Sequence, residues 1–144
     1  MIIAVVTEVS TREKNSLVLG ALEGVGHRII NAGMTGAPGE PELTYIQTGF
    51  LSALLLGAGC ADLVVGGCGT GQGFLNAALQ YPGVACNLVE NPLDAWLGRQ
   101  INGVNCLSLA LNEGFGWAGE VDLRCIFDRV FSVAPGGYPP HRLE

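Results

Sequence analysis

Short, continuous apolar runs alternate along the chain with longer segments whose apolar residues return at helical spacing. The runs IIAVV (2–6), HRIINAG (27–33), ADLVVGG (61–67), VACNLV (84–89) and VNCLSLAL (104–111) predict five strands. After the first, STRE (10–13) fits the S-x-x-E capping box, and Leu17, Leu19 and Leu22 carry a helical period toward EGVG. A Gly- and Pro-rich loop, MTGAPGEPE, precedes the apolar helix LTYIQTGFLSALLLGAG (43–59), which stops at glycines. Further helices are predicted at QGFLNAALQ (72–80), ended by Pro82-Gly83, and at GWAGEVDLRCIFDRVF (116–131). Between them NPLDAWLGRQI (91–101) starts with Asn as N-cap and Pro at the first helical position. Residues 1–131 form one domain on this reading, and 132–144 form an irregular tail expected to contact a neighbouring subunit.

Strands that are apolar throughout are buried on both faces. Their alternation with helices predicts a three-layer α/β/α sandwich around a doubly wound, five-stranded parallel sheet, Rossmann-like in architecture. In such sheets ligands bind beyond the carboxyl ends of the strands, where Thr7-Glu8, Glu90-Asn91 and LNEGFG fall.

Composition narrows the function. Hydrophobic residues make up 49% and charged residues 14%, so some apolar surface is expected to be covered by a second copy, in a homodimer or a dimer of dimers. A net charge of −6 with seven Lys plus Arg argues against a nucleic-acid groove or an anionic membrane surface. The apolar runs fall short of the ~20 residues of a membrane span, and MIIAVVTEVS reads as a first strand and not as a signal peptide. The five cysteines hold no C-x-x-C pair. All but Cys68 sit in apolar contexts, as buried thiols of a protein in a reducing cytoplasm would.

The chemistry concentrates in VVGGCGTGQGFLNAAL (64–79). It is not a Walker loop, because no G-K-[ST] follows, and neither G-x-G-x-x-G nor C-x5-R fits its spelling. What remains is a run of amides, Gly69 to Gly73, at the start of a helix, suited to a phosphate or an oxyanion. The same field favours the thiolate of Cys68. A base beside an oxyanion site is the equipment for taking a proton from carbon next to a carbonyl. The alternative is a tight strand-to-helix turn in which the glycines allow close packing and Cys68 fills space. The turn alone leaves both readings open.

From there the spelling resembles a family. GGCGTGQGFLNAALQYPGVAC is similar to the C-G-T-G-x-G segment of the type B ribose-5-phosphate isomerases and the related galactose-6-phosphate isomerase subunits. The likeness extends through DAWLGRQINGVNCLSLAL, with Asn102 and Asn105 at fitting spacing; Tyr45 falls at the family's D-Y-P tyrosine and Asp62 also matches. The resemblance implies a site shared across a dimer and a proton moved between C1 and C2 of an aldose phosphate through a cis-enediolate. Carried over, Cys68 is the base. Gly69, Gly71 and Gly73 belong to the anion hole, Thr70 and Asn102 bond hydroxyls or the enediolate, and Tyr45 and Arg142 contact substrate; Glu8, where the family has Asp, reads either as a substrate-contacting acid–base group or hydroxyl acceptor or as an exposed strand-end carboxylate.

The departures are as specific. The family's Asp-His after the first strand is Glu8-Val9, its ring-opening histidine is Ile101, and the aspartate after Asn102 is Gly103. One of two phosphate-binding arginines becomes Tyr138, leaving Arg142. His27 reads as structural or surface, His141 as a tail residue able to reach a neighbouring site, and Arg12 and Arg99 as solvated helix residues or phosphate partners. Trp96, Phe115 and Trp117 read as core or interface packing. The expected protein is a cytoplasmic aldose–ketose isomerase of a small sugar phosphate, without metal or cofactor. A tetrose 4-phosphate, which cannot close a furanose, would make the loss at Ile101 harmless; a pentose phosphate is the other candidate. Two alternatives stand beside it: a non-catalytic sugar- or anion-binding subunit, and a thiol nucleophile in acyl transfer, which lacks a nearby histidine.

Overall fold

The structure, a computed structural model, describes residues 1–132 and 134–140. Strands β1 (Ile2–Val5), β2 (Arg28–Asn31), β3 (Leu63–Cys68), β4 (Cys86–Val89) and β5 (Cys106–Ala110) form one parallel sheet in the order β2-β1-β3-β5-β4. Successive side chains leave opposite faces of a strand. Ile3, Val5, Leu63, Val65, Leu107 and Leu109 therefore build one core with α1 (Asn15–Ala21), α4 (Pro92–Leu97) and α5 (Gly119–Phe131). Ala4, Val6, Val64, Cys68 and Cys106 build the other with α2 (Tyr45–Gly57) and α3 (Gln72–Ala78). The doubly wound sandwich expected from the sequence is present. No described helix is long and apolar enough to cross a membrane.

Several local expectations are corrected. The STRE capping box does not form, because the Ser10 hydroxyl donates to the Glu8 carboxylate instead. The chain passes through a 3-10 turn at Arg12–Lys14 before α1, whose buried face is Asn15, Val18, Ala21 and the following Leu22; Leu17 points outward. A complete capping box exists elsewhere, where the Thr44 side chain accepts from the Gln47 N–H and the Gln47 side chain accepts from the Thr44 N–H. Asn91 and Pro92 cap α4 as predicted, but the helix gives way to a π-helical turn at Gly98–Asn102. Cys60 and Cys125 are exposed, so only Cys68, Cys86 and Cys106 are buried thiols. His27 is half-buried ahead of β2 and meets the Phe131 ring edge-on at 5.1 Å, a structural position.

Candidate active site

The chain reverses its direction of sheet growth at β1: β2 is added on one side, β3 on the other. Parallel sheets open a crevice at such a switch point. There Cys68 ends β3 in register with Ala110, and the following turn enters α3. Two glycines are dictated by the neighbouring strands, one by β5 and one by β4. A Cβ on Gly67 would lie 2.2 Å from the Leu109 carbonyl oxygen; one on Gly71, whose φ is +75°, would lie 2.4 Å from Leu88 Cδ1. Ser108, fully buried, donates to the Gly71 carbonyl and pins the turn from below. The backbone N–H groups of Gly69, Thr70, Gly71 and Gly73 have no acceptor among the described residues, and that of Gln72 reaches Thr70 Oγ1 at 3.3 Å. Four unpaired donors thus follow directly after the thiol.

Cys68 is 6% exposed and packs in the α2/α3-side core. Cys106 differs chemically. Its hydrogen bond with Cys86, then its burial, raise its pKa well above the usual thiol range, so it stays a protonated core residue. Thr70 is exposed at the crest of the turn. Tyr45 opens α2 and lays its ring 3.1 Å from where a Gly73 Cβ would be; both line a groove of about 300 Å³ with Asn76, Gln80 and Tyr81. Glu8 is 2% exposed, and its carboxylate accepts from the Ser10 N–H at 3.1 Å, the Ser10 hydroxyl and Thr11 Oγ1 at 3.1 Å. Its bonds go to its own turn.

Three residues without a motif complete the rim. Asn112 follows β5; its N–H donates to the Gly69 carbonyl at 2.9 Å, and its Nδ2 to the Ser10 carbonyl at 3.1 Å. The Leu111 N–H donates to the Cys68 carbonyl at 3.0 Å. Lys14 Nζ donates to the Leu111 carbonyl and to Asn112 Oδ1 at 2.6 Å, and stands 4.8 Å from the centre of the Phe115 ring. The contacts of Lys14 and Ser10 with Leu111 and Asn112 join positions about a hundred residues apart, so no local pattern announces them.

Other predicted residues lie elsewhere. Asn102 is exposed at the end of the π-helical turn, ahead of β5, and so at the opposite end of the sheet from Cys68. One chain does not bring the two together. Ile101, beside it, is likewise exposed, and Asn105 ties β4 to β5 through Ala85 and Gly83. Asp62 pairs with the Ile2 N–H at 2.6 Å at that same far end. Arg99 is buried there, donates to the Val104 carbonyl at 2.7 Å, and has its pKa lowered by desolvation; it is not a solvated helix residue. Arg12 pairs with Glu42 at 3.5 Å. The Tyr138 ring packs at a tilt against Trp96, centroids 5.1 Å apart, while Trp117 is 94% exposed. Arg142 and His141 lie outside the described residues.

A parallel sheet with a cysteine–glycine turn at its switch point fits the sugar-isomerase family that the spelling resembles, and the comparisons agree on the family. The sequence model described as Ribose/Galactose Isomerase matches residues 3–119. The chain belongs to that family. It is similar to a 4-deoxy-L-threo-5-hexosulose-uronate ketol-isomerase complexed with a tartrate, at 44% identity over 99% of this chain and 69% of that one, with a TM-score of 0.95. A ribose-5-phosphate isomerase from Vibrio parahaemolyticus matches at 45% identity over the same shares, with a TM-score of 0.93. The enzyme of that name from Thermotoga maritima matches at 25% identity over 99% and 93%, with a TM-score of 0.80. Among curated proteins there is no match.

Proposed function

We propose that the chain is an aldose–ketose isomerase of an open-chain, negatively charged sugar, working through a cis-enediolate with Cys68 as the base. The observation that carries the reading is the row of four unpaired N–H groups directly after Cys68 at the switch point. In the forward step the thiolate takes the proton from C2 of the aldose, and the electron pair moves onto the carbonyl oxygen at C1. The turn amides hold that oxyanion as it forms. The thiol then returns the proton to C1, the hydroxyl proton passes from O2 to O1, and the carbonyl is left at C2. On this reading Thr70 and Tyr45 bond substrate hydroxyls. Asn102 reaches a site only in an assembly, as a residue of a second chain. Exposed Ile46, Phe50 and Leu54 on the uncharged helix α2, with Leu79 on α3, supply an apolar face for such a homodimer.

Ile101 in place of a ring-opening histidine fits a substrate that arrives open. A tetrose 4-phosphate qualifies because its phosphate occupies the 4-hydroxyl. A 4-deoxy-5-ketouronate, the kind of compound named for the similar ketol-isomerase, qualifies because it has neither a 4- nor a 5-hydroxyl to close a ring onto its C1 aldehyde.

Incubation with a panel of sugar phosphates and ketouronates in D2O tests this. NMR should show deuterium entering C2 of the aldose or C1 of the ketose, and Cys68→Ala should reduce the rate by at least about a hundredfold. A Cys68→Ala chain that labels sugars as fast as the parent removes the base. The burial of Cys68 favours a second reading, a non-catalytic sugar-binding subunit; binding without label on any sugar would establish it.

A further inference from the structure

We infer that Lys14 recognises the acid group of the substrate, and that its ammonium makes this site select charged over neutral sugars. The inference rests on the isomerase reading for where the sugar's carbonyl end lies. It begins from the distribution of positive charge. Arg28 opens β2 and Arg99 is buried, both at the far end of the sheet; Arg124 and Arg129 are exposed along α5. At the end that carries Cys68, Arg12 is held by Glu42. Among the described residues Lys14 remains at this end of the sheet, and it forms no ion pair with any of them.

The partners of Lys14 are a carbonyl, an amide oxygen and an aromatic face, all neutral. Glu13 precedes Lys14 and Glu113 follows Asn112; both are exposed, and neither forms an ion pair with it. The Glu8 carboxylate is bonded to Ser10 and Thr11. The lysine is thus oriented from three sides while its charge stays uncompensated. An ammonium has three protons to donate, and described groups accept only two of the bonds. A merely structural tie between the turn and the loop after β5 would need no charge.

Its place fits the role. Asn112, which accepts from Lys14, has its Nδ2 3.4 Å from where a Gly69 Cβ would be, and its N–H on the Gly69 carbonyl. The ammonium therefore stands one side chain away from the unpaired amides. A sugar with its carbonyl at Cys68 and Gly69 would present its acid end to Lys14. A charge-assisted bond of this kind is roughly twice as strong as a neutral one.

The test uses tartrate as the acid probe and threitol, its uncharged counterpart with the same carbon skeleton, in titration calorimetry with the parent, K14Q and K14R. The parent should bind tartrate more tightly than threitol. K14Q should weaken tartrate about tenfold or more and leave threitol unchanged, and K14R should stay within about threefold of the parent. Equal losses for both ligands would make the lysine structural and overturn the inference. So would parental tartrate affinity in K14Q, or a parent that does not distinguish the two ligands. Should K14Q not fold, the Nζ resonance of Lys14 in the parent decides, moving with tartrate and not with threitol if the inference holds. Binding needs no turnover. A chain that labels no sugar in D2O but shows the K14Q loss would keep the lysine's role and remove the isomerase reading; normal labelling without that loss would do the reverse.

Discussion

At the scale of residues, the turn after β3 separates glycines that serve packing from one that faces the site. Gly71 has a positive φ and no room for a Cβ against Leu88, whereas Gly69 has an ordinary φ and nothing closer than 3.4 Å. Gly71→Ala should therefore cost about 2–4 kcal/mol from backbone strain and overpacking. Gly69→Ala should melt within a few degrees of the parent yet lower kcat/KM, since its methyl enters the rim beside Asn112. Thermal melts alongside the D2O exchange rate check the pair; equal loss of stability in both would remove the distinction. Cys68 and the donors after it were legible because GGCGTGQG is a contiguous string whose lack of side chains implies exposed amides. Lys14, Asn112 and Ser10 were not. Their meeting depends on which strands become neighbours, and an isolated lysine in a 3-10 turn reads as solvated surface.

At the scale of elements, strand and helix identity followed from period, while ends were decided by competition for hydrogen bonds. Ser10 had two possible partners, and the buried Glu8 carboxylate won over the helix N-terminus. The π-helical turn after α4 depends on residues far along the chain: the Gln100 side chain donates to the Ala134 carbonyl and accepts from the Gly137 N–H. The loop between β2 and α2 has its own clamp. Glu40 accepts from the N–H groups of Thr35 and Gly36 and from the Thr35 hydroxyl. The bond from the Thr35 N–H leads the causes that hold its pKa below the ordinary 4.5. A depressed carboxylate contributes order that is complete above its unfolded pKa and fades as pH falls through the folded one. The protection factors of the Thr35 and Gly36 amides, taken relative to the intrinsic exchange rate at each pH, should accordingly fall as acid protonates Glu40 below its ordinary range, and Glu40→Gln should lower them at neutral pH. Unchanged exchange in both cases would show that the clamp carries no order.

At the scale of the whole molecule, doubly wound topology was legible from five strands that lack polar faces, since only helices on both sides can cover them. An assembly is less legible: low charge content leads one to expect a covered surface without saying which. Asn102 lies at the end of the sheet where the strands begin and Cys68 at the end where they finish, so a site containing both needs two chains. Mixing Cys68→Ala chains with Asn102→Ala chains should restore part of the exchange activity that each lacks alone, through hybrid dimers that carry one intact site. Absence of any recovery, with mixed dimers verified by native mass spectrometry, would confine the site to one chain. The strand order has one more outcome, in time instead of space. β4 is an edge strand whose sheet partner, β5, is synthesised after it. On the ribosome, β4 must wait unpaired while β3 keeps one side bare, so the last strand to emerge both closes the sheet and delivers Asn112 to the Gly69 turn. Nascent chains halted before residue 106 should be the form of this protein that most needs a chaperone.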